Sequence, residues 1–394
     1  MVNVVEENKV LKNPDLFKLI TEDEFDKTIV GELATRKAIF LMNCTVWVKD
    51  VVLHCFIGGE SSVGKDHVTK NILKIFPQEN VITRTKITPQ AFTYWHEKEE
   101  DWTWENKIVY LPDVSEGVLN SATFKVMASE GSTAVVVRNG KVEEIDIKGI
   151  PNLVVTTADS EPINEILNRF NLVSLDESDS QTSAVMDFEA NKVKYGKKEF
   201  YSADIVSALR ELNPVDVIIP FADKMSKFFP RNVKMRRVFV NFLNLIKAST
   251  ALHQFQREQD ERARFIANKQ DYEIARDVIE SIREDTIKGL TAKEKRYLVK
   301  FEGINLAFEW LTIPEIMEKA KGFATKPTWY SAMDNLAKKS MVERAELKDE
   351  DTGKHIINYA KKEKENAELK LPKFEELGIK DNKGIKDNKG NLDN

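Results

Sequence analysis

One stretch constrains the fold of this chain more than any other. Gly59-Glu60-Ser61-Ser62-Val63-Gly64-Lys65-Asp66 reads G-x-x-x-x-G-K. It directly follows an apolar run, Val51 to Ile57, and precedes a helix-like segment, His67 to Phe76. Strand, glycine loop and helix N-terminus, in that order, are the setting a phosphate-binding loop requires. The glycines let the backbone curl so that its N–H groups converge on an anion. The helix dipole adds positive potential, and Lys65 supplies a cation for the β- and γ-phosphates. Residues 59–67, through Asp66 and His67, form the candidate phosphate cradle.

A length of 394 residues implies two or three domains. The net charge of −5 does not suggest a nucleic-acid binder, so any such site has to be a local basic patch. Cys44 and Cys55 lie in apolar contexts and read as small buried hydrophobes of a reducing compartment. With no C-x-x-C and no Cys/His cluster, zinc is not expected. The first residues lack a basic and then apolar leader pattern, and no run approaches the ~18 apolar residues of a spanning helix. The expectation is a cytoplasmic protein without a membrane partner.

Along the chain, residues 14–48 read as two helices. Residues 49–157 alternate apolar strand candidates (51–57, 108–111, 133–137, 142–147, 153–157) with helices, which argues for a three-layer α/β domain with a mostly parallel sheet. Residues 201–290 are helical in pattern. Val238, Phe242, Leu245, Ile246 and Leu252 form an apolar stripe at three- and four-residue spacing. Residues 300–362 read as helix, helix, hairpin, the layout of a winged helix, with a small helical bundle carrying a hairpin as the alternative. The repeat Gly378-Ile379-Lys380-Asp381-Asn382-Lys383 and Gly384 to Lys389 has almost nothing to bury and predicts a disordered tail. The boundaries read from these shifts are 1–30 (N-terminal helical segment), 31–195 (phosphate-loop core), 196–299 (helical linker), 300–365 (winged helix) and 366–394 (tail).

A phosphate loop needs an acid on a neighbouring strand to hold Mg²⁺ and polarise water. The apolar strand Ile108-Val109-Tyr110-Leu111 runs through Pro112 into Asp113, with Glu116 three residues on. Asp113 is the metal-side acid with Glu116 as base, or Asp113 serves both roles; capping of the next helix is compatible with either. Asp66 stands where a Ser or Thr hydroxyl normally binds Mg²⁺. A carboxylate can do so too, but it repels phosphates, so a modest ATP affinity is expected. The strand Asn152 to Thr157 ends in two hydroxyls, and Thr156 or Thr157 would face an attacking water; strand propensity alone also explains them. Asn139-Gly140 between strand-like runs signals a hairpin, with Arg138 and Lys141 bracketing its tip. Arg169 follows the Thr156–Thr157 strand, as an arginine finger or as a surface ion pair.

Taken together, these residues resemble the AAA+ helicases with a pre-sensor-1 hairpin, such as minichromosome-maintenance and superfamily 3 viral helicases. The strings Leu175-Asp176-Glu177-Ser178-Asp179-Ser180-Gln181-Thr182, Ile219-Pro220-Phe221-Ala222 and Leu252-His253-Gln254-Phe255-Gln256-Arg257 are similar, in the same order, to strings of helicase-like ATPases of phages, plasmids and integrative elements. The resemblance implies an AAA+ domain, a helical lid and a C-terminal winged helix. It also implies a homo-hexameric ring with ATP and Mg²⁺ between subunits. Gly59, Gly64, Lys65 and Asp66 would hold phosphates and metal, Asp113 and Glu116 activate water, and Thr157 sense the γ-phosphate. Arg169 would act in trans, and Arg236 or Arg237 would be the second sensor arginine.

At the pore, Arg138 and Lys141 would grip single-stranded DNA through its phosphates. Lys326, Lys338 and Lys339 would touch duplex phosphates, while Trp329 and Tyr330 are core residues or stacking platforms. The function so implied is an ATP-dependent DNA helicase or translocase in replication of a mobile element or virus, with any primase or replisome partner a separate chain. Asp66 and the single acid at 113 depart from the family pattern and point to slow hydrolysis. Two alternatives therefore remain: an ATP-binding helicase loader, and a winged-helix DNA-binding initiator or regulator.

Overall fold

The computed structural model describes residues 9–59, 64–95, 102–129, 132–138, 141–157, 169–196, 201–282, 290, 292–306, 309–339, 341–348, 353–362 and 371–378. In chain order, helix α1 (Leu33–Asn43) leads to strand β1 (His54–Gly58) and α2 (Lys65–Leu73). Then come β2 (Val81–Thr83), α3 (Pro89–Tyr94), β3 (Ile108–Leu111), α4 (Glu116–Leu119) and α5 (Ala122–Met127). The hairpin β4 (Ser132–Arg138) and β5 (Lys141–Ile147) precedes β6 (Asn152–Thr157) and β7 (Phe170–Ser174). Helices α6 (Asp179–Tyr195), α7 (Ala203–Leu209), α8 (Val233–Leu252) and α9 (Lys269–Ser281) follow, with the short strands β8 (Val217–Ile218) and β9 (Phe265–Ile266) among them. The last group is α10 (Ala292–Ile304), β10 (Leu311–Thr312), α11 (Ile313–Ala320), α12 (Lys326–Lys338), β11 (Val342–Lys348) and β12 (His355–Lys361).

The central sheet has the order β2-β3-β6-β1-β7, and every pairing in it is parallel. Both faces are buried, as parallel strands require. The two-residue alternation of side chains sorts them into two cores. Cys55, Ile57, Ile108, Tyr110, Val154 and Val173 face one core, with α1, α2, α8 and α9. Phe56, Val109, Leu111, Leu153, Val155 and Leu172 face the other, with Phe92, Trp104, Phe124 and Met127. The α/β reading therefore holds for this domain.

Two strands were not among the expected ones. β2 is only three residues long. β7 carries a polar residue at its centre, Asn171, whose Nδ2 donates to the His54 carbonyl at 3.2 Å and whose Oδ1 accepts from Asn241 at 2.8 Å. Conversely, 133–137 and 142–147 pair only with each other and lie outside the central sheet.

The expected helical unit of 196–299 is not separate. Ile205, Leu209, Phe242, Leu245, Tyr272 and Ile279 share one core with Leu11, Leu16, Phe25, Phe40 and Trp47. The N-terminal segment from Leu11 on is thus part of the same body. The following boundary falls before 290, because Leu290, Tyr297 and Phe301 belong to a third core with Ile313, Ile316, Trp329, Met333 and Tyr359. Tyr297 meets Trp329 edge to face at 4.8 Å. Helix α11 of this unit starts at a reciprocal cap: Thr312 accepts from the Glu315 backbone, and the Glu315 carboxylate accepts from the Thr312 backbone. β11 and β12 form a hairpin, and β10 adds a third strand beside β12. Trp329 is a core residue, whereas Tyr330 is exposed.

The tail expectation also needs correction. Leu371, Phe374 and Leu377 are buried in the first core. The Phe374 ring lies 5.1 Å from Phe221 and 5.6 Å from Tyr272, whose hydroxyl donates to the Pro372 carbonyl at 2.7 Å. Three apolar residues in an otherwise charged stretch suffice to dock 371–378, while most of the repeat lies outside the described residues. Among the described residues, no helix is long and apolar enough to cross a membrane.

Candidate nucleotide-binding site

A parallel sheet brings the carboxyl ends of its strands to one edge, and there β1, β3 and β6 end at Gly58, Leu111 and Thr157. Gly58 is in register with Thr157. Helix α2 starts at Lys65 directly behind Gly64, whose φ of 92° is left-handed. A Cβ at Gly64 would meet nothing within 4 Å among the described residues, and it is the left-handed backbone that demands glycine there. Lys65 is buried, and its ammonium donates to the Gly59 carbonyl at 2.8 Å. Glu60, Ser61, Ser62 and Val63 lie outside the described residues.

Asp66 is the centre of the polar network. Its Oδ1 accepts from the Tyr110 hydroxyl on β3 and from the Thr156 hydroxyl on β6, each at 2.7 Å. Its Oδ2 lies 3.5 Å from the Lys70 ammonium. Partial burial pushes the carboxyl up, but the two hydroxyl donors and Lys70 outweigh this and hold it below the usual range. Burial, and then donation to the Asp66 carboxylate, push the Tyr110 phenol well up. Asp66 is therefore a carboxylate at neutral pH.

The acidic turn hangs on the same hydroxyl. The Asp113 backbone N–H donates to Thr156 Oγ1 at 3.0 Å, and the Val114 N–H donates to the Thr156 carbonyl at 3.0 Å. Asp113 is exposed and holds a left-handed φ of 48°. Glu116 opens α4 and accepts from Asn120 on its own helix at 3.3 Å. Thr157 is buried beside Gly58. Of the proposed residues, the fold thus gathers Gly59, Gly64, Lys65, Asp66, Asp113 and Thr157 at one edge. His67 instead turns its Nε2 to the Thr28 carbonyl at 2.9 Å.

Tyr110 and Thr156 are the residues that sequence reasoning undervalued. Their signal was strand alternation, which puts both on the face that α2 covers. Glu177 comes to the start of the loop: a Cβ added to Gly59 would stand 3.3 Å from its Oε1. Beside it opens a cleft of about 900 Å³ lined by Glu32, Thr35, Glu177, Lys295, Lys300 and Phe323 among others. Burial pushes the Glu32 carboxyl up to about 7, although it accepts the Asp176 N–H at 3.0 Å.

The remaining candidates lie elsewhere. Arg169 precedes β7, at the opposite sheet edge from its own phosphate loop, and donates to the Lys125 carbonyl and the Ser129 hydroxyl. Arg138 and Lys141 are the last paired positions of the β4–β5 hairpin, and Lys141 is exposed. Arg236 and Arg237 are exposed near the start of α8. Lys326 and Lys338 are exposed on α12, whereas Lys339 holds both carboxylate oxygens of Glu294 at 2.6 Å.

The string at 252–257 is a structural clamp. Arg257 makes a bidentate pair with buried Asp271 at 2.7 and 2.8 Å, and Gln256 donates to the Leu11 and Asn13 carbonyls at 2.7 and 2.8 Å.

The donor set suits a magnesium nucleotide. Among the described residues no cluster of three or more His, Cys, Asp or Glu could hold a metal by itself. Mg²⁺ in nucleotide sites takes one or two carboxylates and completes its shell with phosphates and water. No curated protein matches the chain. The MTBMA_p00010 P-loop domain family matches residues 3–210, which include β1, the phosphate loop, the hairpin and β7. With more than half of its length matched and a phosphate-loop lysine seated between β1 and α2, the chain belongs to the MTBMA_p00010 P-loop domain family.

Proposed function

We propose that this P-loop protein is an ATP-dependent DNA helicase or translocase of a mobile element or virus. It would work as a homo-hexameric AAA+ ring with α7–α9 as its lid and residues 290–362 as a winged helix. The observation that carries the reading is the joining of Asp66, Thr156 and Asp113 at the phosphate-loop edge, together with the Arg138–Lys141 hairpin on a separate two-stranded sheet. Bound Mg²⁺ supplies charge neutralisation at the phosphates. Lys65 holds the phosphates, and Asp66 offers the metal its carboxylate. Asp113 or Glu116 takes the proton of the attacking water, and Thr157 orients that water. Arg169, bound to its own α5 end here, acts on a neighbouring copy, and Arg236 or Arg237 closes from the lid. Arg138 and Lys141 grip single-stranded DNA, while the exposed Lys326 and Lys338 face duplex phosphates and Lys339 stays paired with Glu294.

A second reading, a slowly hydrolysing helicase loader, is favoured by one observation: a carboxylate, Asp66, stands beside the phosphate loop where a hydroxyl normally stands. ATP hydrolysis with and without single-stranded DNA separates the two, comparing wild type with Lys65→Ala and Lys141→Ala. The motor reading expects turnover that DNA stimulates, that Lys65→Ala abolishes and that Lys141→Ala uncouples from DNA. ATP binding with no turnover above the Lys65→Ala background would select the loader.

A further inference from the structure

In a phosphate-loop site the helix commonly carries a Ser or Thr hydroxyl and the facing strand a carboxylate, both serving the magnesium ion. Here the helix end is different. The helix carries the carboxylate, Asp66, and strands β3 and β6 present the hydroxyls of Tyr110 and Thr156. A threonine hydroxyl has one proton, and Asp66 takes that of Thr156. The same oxygen accepts the Asp113 N–H, so a directed chain runs from Asp113 N–H through Thr156 Oγ1–H to Asp66 Oδ1.

We propose that Thr156 is the positioning residue that fixes the acidic turn at Asp113 against the carboxylate-bearing phosphate helix. The inference rests on the reading of residues 59–67 as a nucleotide site. Asp113 keeps a left-handed φ, a conformation that persists in a non-glycine residue when its surroundings hold it. Thr156 does so twice, with its hydroxyl on Asp113 N–H and its carbonyl on Val114 N–H. With its proton committed to Asp66, Thr156 links the acidic turn to the phosphate helix.

The test uses the full chain with Thr156→Val, which keeps the shape and removes the hydroxyl, Thr156→Ser, which keeps it, and Tyr110→Phe, which removes the second hydroxyl donor to Asp66 and keeps that of Thr156. Hydrogen exchange at the Asp113 amide, binding of a fluorescent ATP analogue with Mg²⁺, and turnover are read together. In Thr156→Val the Asp113 amide exchanges faster and kcat falls, each by about tenfold or more, while nucleotide affinity changes by less than about threefold. Thr156→Ser restores both, and Tyr110→Phe leaves the Asp113 amide as in wild type. Unchanged Asp113 exchange in Thr156→Val, or a Thr156→Ser variant as impaired as Thr156→Val, overturns the proposal. If Thr156→Val does not fold, Thr156→Cys, close in size and a weak donor, carries the same comparison. Wild type that binds nucleotide without turnover ends the motor reading alone, because exchange and binding still decide the relay. Wild type that binds no nucleotide overturns both.

Discussion

The Asp66 carboxylate and the Thr156 hydroxyl meet at 2.7 Å, joining the helix behind the phosphate loop to the strand between β1 and β3. The contact places a negative charge beside the loop and accounts for its cost: two hydroxyls and Lys70 hold the charge in place.

Asp66→Asn removes that charge and keeps an oxygen for the two hydroxyls. Binding of a fluorescent ATP analogue without Mg²⁺ should tighten by about fivefold, the scale of one partly screened charge. The gain in affinity on adding Mg²⁺ should shrink. Equal responses to Mg²⁺ in wild type and variant would show that Asp66 does not serve the metal.

Phe374→Ala should cost about 2–4 kcal/mol, since it empties a site shared with Phe221 and Tyr272. Removal of the exposed Lys269–Glu375 pair should leave stability nearly unchanged, because water screens the pair. Urea unfolding measures both, and a chain truncated after residue 370 with unchanged stability would contradict the docking of 371–378.

Asp271→Ala should cost about 3–5 kcal/mol, because the Arg257 guanidinium it pairs with is nearly all buried and would be left without its partner carboxylate. Thermal unfolding reads this as a large fall in Tm. A neutral outcome would mean that water reaches Arg257.

Burial holds His54 and His253 neutral, with pKa values lowered to about 4. Both are below the unfolded value, so the unfolded chain binds more protons on acidification. Stability is full above pH 6.5 and falls toward pH 4, by roughly 2 kcal/mol for each histidine between pH 6.5 and pH 5. Unfolding curves that coincide at pH 7 and pH 5 would rule this out.

Glu32 works with the opposite sign. Its folded pKa is raised to about 7, so its contribution is full below the unfolded carboxylate pKa and is lost as pH rises through 7. Glu32→Gln should therefore be more stable than wild type at pH 8 and alike at pH 4.5. The same difference at both pH values would assign the effect to packing.

Much of the site was legible before any tertiary structure, for local reasons. The strand His54–Gly58 and the helix from Lys65 belong to one contiguous segment, and the antiparallel strands 132–138 and 141–147 belong to another, while the Asn139-Gly140 turn expected between them lies outside the described residues. Asp113 could be named because it ends an apolar run. Tyr110 and Thr156 were harder to read. Tyr110 sits among hydrophobes as one more strand residue, and its hydroxyl has a purpose only once Asp66, 44 positions earlier, is brought to it. The sequence also hinted at separate helical and tail units, because charged and polar composition marks exposure but does not say which few apolar residues dock.

The sequence by itself determined the strand–loop–helix element, the α/β alternation and the hairpin, since each follows from spacing and turn chemistry within a short window. Only the tertiary structure decided that apolar residues of 201–282 and 371–378 join the first core, that Arg169 lies across the sheet from its own phosphate loop, and that Thr156 binds Asp66. Those relations depend on which strands are neighbours in a parallel sheet, and long-range pairing leaves no mark in local periodicity.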